Sequence, residues 1–281
     1  MKAIVNSPIC PLMSQPRHDC ELADEALLGM VVEVLEQTTP GYWKVRTHYR
    51  YEGYAPVGCL VIGDQSAEEW AALPKKVVLH KNTCDVMANP KVQSWPRVAA
   101  LPMGAVVAVT QPPEVDPETG KPTGWQCVTL PDGAEGYVRS SWLDTYYDSP
   151  MDLPEDQLRQ RLCETAKLYA RTHYRWGGKT PLGIDCSGLV SMSYLLNGIV
   201  IYRDAKVVEG FPIRFIDKEN MKPGDLLFFP GHVAMYLGEQ RYIHSTGKAG
   251  DDGVVINSLD PAAPDYRPDL PEKLTGVGSA F

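Results

Sequence analysis

Tyr174-Arg175-Trp176-Gly177-Gly178, followed by Asp185-Cys186-Ser187-Gly188-Leu189, is the stretch that decides the fold and the chemistry of the second half of this chain. Asp185 is a typical helix N-cap residue, so a helix is predicted to begin there with Cys186 in its first turn. The free N–H groups of a helix start carry partial positive charge, which favours a cysteine thiolate and can bind an oxyanion. Cys186 is therefore the candidate nucleophile.

A cysteine nucleophile needs a base, and two histidines follow, in Gly231-His232-Val233-Ala234 and in Ile243-His244-Ser245. If residues 232–237 and 241–244 pair as hairpin strands with Leu237 opposite Arg241, His244 lies opposite Ala234 and shares a face with His232. A two-residue loop would separate the histidines, so the arrangement requires an odd loop or a bulge. His232 is the candidate base, and His244 is the candidate residue that orients it.

The remaining pattern of the second half predicts an α+β domain over residues 150–281. Pro154 suits a first helical turn, and apolar residues then recur every three to four positions through 158–169. Three strand candidates, 226–229, 232–237 and 241–245, come after the helix at Asp185. Helices followed by an antiparallel sheet are typical of α+β folds.

The first half contains an internal repeat. Residues 28–34 (Leu-Gly-Met-Val-Val-Glu-Val) are echoed by residues 103–109, Trp43 by Trp125, and residues 53–55 by residues 136–138. Glycine turns followed by short alternating strands predict small antiparallel barrels. The repeat resembles bacterial SH3-like domains, which implies one all-β SH3-like barrel at 1–65, a linker at 66–75 containing a short helix, and a second barrel at 76–146.

The order Y-x-W-G-G, D-C-S-G-L, a histidine opening a strand and another histidine twelve residues later resembles the NlpC-type cell-wall cysteine peptidases. The resemblance covers about 130 residues of the chain. It implies a papain-like fold in which Cys186, His232 and His244 form the catalytic set.

Two SH3-like domains ahead of such a domain resemble the γ-D-glutamyl-L-diamino acid endopeptidases of cell-wall peptide recycling. That resemblance implies cleavage between γ-D-glutamate and diaminopimelate or lysine in peptides with a free N-terminal L-alanine. It also implies that Tyr174, Asp185 and Ser187 hold the N-terminal end of the substrate. Glu25 and Tyr51 are the candidates for an acidic residue and a tyrosine that the first SH3-like domain contributes.

Composition limits the partners and the location. A net charge of −8 and a pI near 5.3 argue against nucleic acid and anionic membranes. No His, Cys or carboxylate cluster has the spacing of a metal site, so neither a metal nor another cofactor is expected. The first residues lack the apolar core of a secretion signal, which predicts a cytoplasmic protein, or an exported one if a signal was trimmed.

Two other functions compete with the recycling peptidase. One is a secreted hydrolase of intact peptidoglycan whose SH3-like domains anchor it to the wall. The other is a wall-peptide binding module without activity, against which the complete set of Cys186, His232 and His244 argues. The acidic charge favours the recycling peptidase, because wall anchoring often uses basic patches.

Overall fold

The protein is described here from a computed structural model covering residues 1–38, 41–93 and 95–281. The chain forms two compact units, Met1–Tyr146 and Tyr147–Phe281. No helix in these described ranges combines the length and the hydropathy that crossing a membrane requires.

The first unit holds two antiparallel sheets with one helix between them in the chain. The first sheet contains β1 (Lys2–Val5), β2 (Ile9–Met13), β3 (Leu22–Leu27), β4 (Val31–Gln37), β5 (Tyr42–Thr47), β6 (Glu52–Pro56) and β7 (Leu60–Ile62). Helix α1 (Asp64–Ala72) follows. The second sheet contains β8 (Lys75–Val78), β9 (Thr83–Met87), β10 (Arg97–Pro102), β11 (Val106–Ala108), β12 (Trp125–Thr129), β13 (Glu135–Arg139) and β14 (Leu143–Thr145).

The two sheets have the same strand order. The first runs β3-β2-β6-β5-β4-β1-β7 and the second β10-β9-β13-β12-β11-β8-β14. The glycine of each repeat has positive φ, 83° at Gly29 and 94° at Gly104, a conformation that glycine adopts without steric cost. The Gly29 N–H donates to the Val5 carbonyl of β1 over 2.8 Å, and the Gly104 N–H donates to the Val78 carbonyl of β8 over the same distance. Strands β1 and β8 occupy the same place in the two strand orders. The repeat seen in the sequence is therefore a repeat of backbone structure.

The glycine turn of the first repeat also connects the two sheets. The Val106 amide donates to the Leu28 carbonyl over 2.8 Å, and the Trp70 indole N–H of α1 donates to the Gly29 carbonyl over 2.9 Å. A Cβ on Gly29 would lie 2.4 Å from the Val106 carbonyl oxygen, so the close approach requires glycine. The segment predicted as a linker thus includes a helix that packs on the first repeat, and the predicted boundaries at 65 and 76 stay predictions.

The second unit contains helices on one six-stranded antiparallel sheet, as the α+β prediction stated. Its elements are α2 (Glu155–Lys167), β15 (Lys179–Thr180), β16 (Gly183–Ile184), α3 (Cys186–Leu195), β17 (Arg214–Ile216), β18 (Leu226–Phe229), β19 (His232–Gly238), β20 (Arg241–Thr246), β21 (Gly253–Ser258) and β22 (Gly276–Ser279). The sheet order is β17-β22-β18-β19-β20-β21, and the short strands β15 and β16 pair separately. Helix α3 packs on β19 and β20 and is buried all around, as expected of a central helix.

Helix α2 is joined to the sheet by a buried ion pair. The Arg159 guanidinium donates to the Asp225 carboxylate over 2.7 Å, to the Pro223 carbonyl over 3.0 Å and to the Ser279 hydroxyl over 3.1 Å. Its Nε donates to the more exposed Glu155 over 2.8 Å. Because Asp225 is fully buried, this pairing is what makes its charge tolerable in the core.

Candidate active site

Cys186 is the first residue of α3, at the position that the sequence predicts. Asp185 is the N-cap in extended conformation, and its Oδ1 accepts from the Gly188 amide over 2.6 Å. Its Oδ2 accepts from the Gly177 amide over 2.8 Å, which connects the Y-x-W-G-G turn to the start of the helix. The Y-x-W-G-G and D-C-S-G-L motifs are therefore parts of one local structure.

Glycines allow this connection because the backbones touch. Gly177 has a φ of 74°, and a Cβ on Gly188 would lie 2.2 Å from the Gly178 carbonyl oxygen. That same oxygen accepts from the Asp185 amide over 3.3 Å. Any side chain at Gly188 would therefore push the start of α3 away from the turn.

The Cys186 thiol is nearly buried, with 8% of the residue exposed. Burial and the adjacent Asp185 carboxylate raise the pKa of Cys186 to about 11, although the nearby backbone N–H groups of Val233 and Ser187 and the Arg203 charge act in the other direction. Desolvation of the thiol therefore opposes the effect that the sequence predicts for the helix start. A thiol of this kind acts as a nucleophile only after losing its proton to a neighbouring base, and α3 packs on β19, the strand that begins with His232.

Strands β19 and β20 form the hairpin that the two histidines need. Met235 pairs with Ile243, and carrying this register one residue further puts Ala234 opposite His244, as predicted. The prediction that Leu237 faces Arg241 is wrong: Gly238 faces Arg241, and the register shifts between Tyr236 and Gly238. The bulge, one of the two solutions that the sequence left open, brings the histidines to the same face.

The two imidazoles are in direct contact. His232 Nε2 lies 2.8 Å from His244 Nδ1, and His244 Nε2 lies 2.8 Å from Asn257 Oδ1. Burial, the other histidine and the Arg267 charge lower the pKa of His232 to about 3, while Asp269 and Asp185 oppose the shift. Burial lowers the pKa of His244 to about 4, against the opposing bond from Asn257. Both rings are therefore neutral at rest, and a neutral imidazole can accept the thiol proton.

Sequence reasoning missed two residues of this site. Asn257 lies on β21, thirteen residues after His244, in an alternating strand with no motif to mark it. Arg203 lies after α3 and is 2% exposed; it donates to Asp185 Oδ1 over 3.0 Å, to Asp185 Oδ2 over 2.8 Å and to the Ser187 hydroxyl over 2.6 Å. Neither residue type at its position has a local pattern that predicts these contacts.

Arg203 changes the expected chemistry of Asp185 and Ser187. The resemblance implies that Asp185 pairs with a substrate ammonium, but its charge is already paired with the Arg203 guanidinium. The Ser187 hydroxyl lies in the same buried network and donates to Asp185 Oδ1 over 3.2 Å. Contact of Asp185 and Ser187 with substrate stays a prediction. Because Arg203 already neutralises Asp185, that contact is expected to contribute less free energy than pairing with an unpaired carboxylate would.

Tyr174 stands near this network. Burial and the neighbouring Cys186 and Asp185 raise the pKa of its hydroxyl to about 12, while the Arg203 charge opposes the shift. The phenol is therefore a neutral hydrogen-bonding group at physiological pH. Its backbone forms a parallel bridge with Ile184, directly ahead of the helix cap.

The two candidates in the first unit are placed as follows. Glu25 lies in β3 and is 4% exposed. Tyr51 is half-buried, and its backbone N–H donates to the Thr47 hydroxyl over 3.0 Å. In the same unit, the Tyr49 hydroxyl donates to the Asp24 carboxylate over 2.5 Å. Substrate contact by Glu25 and Tyr51 stays a prediction. Within the described residues, no group of three or more His, Cys, Asp or Glu side chains could hold a metal ion.

A buried thiol at a helix start, beside a strand that opens with a neutral imidazole held by a second one, is the arrangement of a cysteine peptidase. Comparison with known families agrees: residues 171–266 match the NlpC/P60 family, and residues 12–59 match the bacterial dipeptidyl-peptidase Sh3 domain. The chain is 43% identical over all 281 residues, and over the whole of both proteins, to dipeptidyl-peptidase 6 of Lysinibacillus sphaericus. It belongs to the NlpC/P60 family and is a cysteine peptidase.

Two further relatives are similar over different lengths. A γ-D-glutamyl-L-lysine dipeptidyl-peptidase of Bacillus cereus is 35% identical over 126 residues, which span 42% of this chain and 37% of that protein. The crystal structure of an NlpC/P60 family protein from Bacillus cereus superposes with a TM-score of 0.75 over 99% of this chain and 98% of that one, at 22% identity. The structural likeness shows the fold, and the named relatives support a cell-wall peptidase.

Proposed function

We propose that this protein hydrolyses the γ-D-glutamyl-L-diamino acid bond of cell-wall peptides that carry a free N-terminal L-alanine, in the recycling of peptidoglycan peptides. The observation that carries the proposal is the full-length similarity to a dipeptidyl-peptidase. An enzyme of that type releases the first two residues from a free N-terminus, and L-Ala-γ-D-Glu is such a pair. The location we propose is the cytoplasm, and the second sheet, with the strand order of the first, is proposed as a second SH3-like barrel.

The chemistry follows from the contacts around Cys186. Its thiol proton passes to His232, and the sulfur attacks the γ-carbonyl carbon of D-glutamate. The imidazolium then gives that proton to the leaving amine of the diamino acid, which leaves a thioester on Cys186. Water, deprotonated by His232, hydrolyses the thioester and releases L-Ala-γ-D-Glu with a free γ-carboxylate. His244 keeps His232 oriented throughout.

The requirement for a free amine rests on Asp185, Ser187 and Tyr174 as the binding groups for the N-terminal end. Because Arg203 already pairs with Asp185, an N-acetylated peptide would not leave a bare buried carboxylate. What it loses is a charge-assisted hydrogen bond of about 1.5–3 kcal/mol, or roughly 10- to 100-fold in kcat/KM, and its acetyl group adds bulk. The expected discrimination is therefore smaller than an unpaired carboxylate would produce.

The test is digestion of L-Ala-γ-D-Glu-diaminopimelate, its lysine counterpart and N-acetylated copies, with products read by mass spectrometry. We expect L-Ala-γ-D-Glu from both free tripeptides and at least tenfold slower cleavage of the acetylated ones. Cys186→Ala is the matched control and should remain folded while losing hydrolysis. Equal cleavage of free and acetylated peptides would exclude the amine pocket, and solubilisation of intact cell walls would favour the secreted wall hydrolase instead.

A binding module without activity is the third possibility. Binding of the tripeptide by the wild-type protein with no cleavage at any pH would favour it. A folded Cys186→Ala protein with substantial turnover would exclude the proposed mechanism.

A further inference from the structure

The amide of Asn257 has a defined orientation. Its Nδ2 donates over 2.8 Å to the main-chain carbonyl of Asp265, an atom that can only accept. The amide oxygen must therefore be the atom that points to His244, at 2.8 Å. The Asp265 carboxylate forms an ion pair with Arg241 at 2.8 Å. Arg241 precedes Tyr242 on β20, and Tyr242 is the strand partner of Asn257.

This orientation decides where the protons of both histidines lie. Because Asn257 Oδ1 only accepts, His244 Nε2 must carry the proton, and Nδ1 of the neutral ring has a free lone pair. That lone pair accepts from His232 Nε2, which must then also carry a proton. The one ring nitrogen of His232 left without a proton is Nδ1, and a base needs such a nitrogen to take the thiol proton.

We infer that Asn257 is a positioning residue that fixes the tautomers of His244 and His232 and so leaves His232 Nδ1 free for the Cys186 proton. Its role rests on the proposed catalytic function of Cys186 and His232. Without the acceptor on Asn257, His244 can place its proton on Nδ1, facing His232 Nε2. His232 then accepts at Nε2 and carries its proton on Nδ1, which is the wrong tautomer for a base towards the thiol.

The matched variants are Asn257→Leu and Asn257→Asp. Leucine has a similar size and no acceptor, whereas aspartate keeps an acceptor oxygen for His244 Nε2 and loses only the donor to the Asp265 carbonyl. We expect Asn257→Leu to lower kcat on the free tripeptide about 10- to 100-fold with little change in KM, the range of a general base that is partly misplaced. Asn257→Asp should recover only part of that loss, because its carboxylate has no donor for the Asp265 carbonyl.

The decisive measurement does not depend on activity. In protein labelled with ¹⁵N in its histidine rings, long-range ¹H–¹⁵N spectra near neutral pH report which ring nitrogen carries each proton. We expect both His232 and His244 as Nε2–H tautomers in the wild type and in Asn257→Asp, and loss of that preference in Asn257→Leu. An Nδ1–H tautomer of His244 in the wild type overturns the inference even if no variant folds.

The outcomes for the inference and for the proposed function are separable. If the wild type cleaves the tripeptide and a folded Asn257→Leu protein does so equally well with unchanged tautomers, the inference is wrong and the proposed function stands. If the wild type has the expected tautomers and cleaves none of the peptides, the proposed function is wrong and the tautomer assignment stands.

Discussion

Replacing Gly188 by alanine should separate catalysis from folding. The new Cβ would lie 2.2 Å from the Gly178 carbonyl oxygen, and real Cβ atoms essentially never approach closer than 3.0 Å. The start of α3 must therefore move by about 0.8 Å, two residues after the nucleophile, or the turn at Gly178 must move instead. The oxygen also accepts from the Asp185 amide, so either movement disturbs the helix cap.

The expected cost in stability is small and the cost in activity is large. Overpacking costs about 1–3 kcal/mol, and the helix propensity of alanine over glycine returns about 1 kcal/mol. A displacement near 1 Å at a nucleophile can lower the rate about a hundredfold. We therefore expect Gly188→Ala to unfold in urea within about 2 kcal/mol of the wild type while kcat falls about 100-fold and KM changes little.

The control is Gly58→Ala, because a Cβ on Gly58 would meet nothing within 4 Å. It should leave both urea unfolding and kcat unchanged. If Gly188→Ala keeps kcat/KM within about threefold of the wild type, the position of α3 does not limit the chemistry and the argument from close approach is wrong.

Three further predictions concern the same unit. His232→Ala should lower kcat/KM at least as much as His244→Ala, because the first removes the proton acceptor and the second its orientation; the reverse order would exchange their roles. Arg159→Met should lower the free energy of unfolding in urea by about 3–5 kcal/mol, because Asp225 is left charged and buried. Glu155→Ala removes only the exposed partner and should lower it by less than about 1 kcal/mol. Similar losses in the two variants would contradict the importance of the buried pair. Burial depresses the pKa of His232 to about 3 and of His244 to about 4, so the unfolded chain, with values near 6.5, binds protons first as the pH falls. The free energy of unfolding should therefore be highest above pH 6.5 and fall towards pH 4, and it should fall less steeply in His244→Gln. The same dependence on pH in the wild type and in His244→Gln would refute this prediction.

Much of the catalytic unit was predictable because its determinants are local. An N-cap aspartate, a glycine turn and alternating strands each act within a few residues, and they correctly predicted α3 and the three strands β18, β19 and β20. The hairpin turn was harder to predict from the sequence. Glu239 and Gln240 both have positive φ, whereas two-residue turns of this kind usually contain asparagine and glycine. The register was predicted correctly at the histidine end of the hairpin and wrongly at Arg241, because the bulge between Tyr236 and Gly238 could not be located from the sequence.

The electrostatic surroundings were not predictable. Arg203 and Asn257 reach the site from a loop and from a later strand, so only the folded chain brings them to Asp185 and His244. The burial of the Cys186 thiol could not be predicted from the sequence either, and it opposes the effect expected of the helix start. Local patterns indicated the candidate reacting groups, whereas long-range packing determines their electrostatic surroundings.

The matching turns at Gly29 and Gly104 bear on the ancestry of the first unit. Duplication of one ancestral gene segment explains why the two halves keep strand order and the same glycine hydrogen bonds while most other side chains differ. After such an event the copies diverge unequally, since Gly29 contacts Val106 of the other copy and cannot accept a side chain. Homologous proteins should therefore vary less at Gly29 than at surface positions of the same repeat, and an ancestral single-copy form would have lacked that constraint.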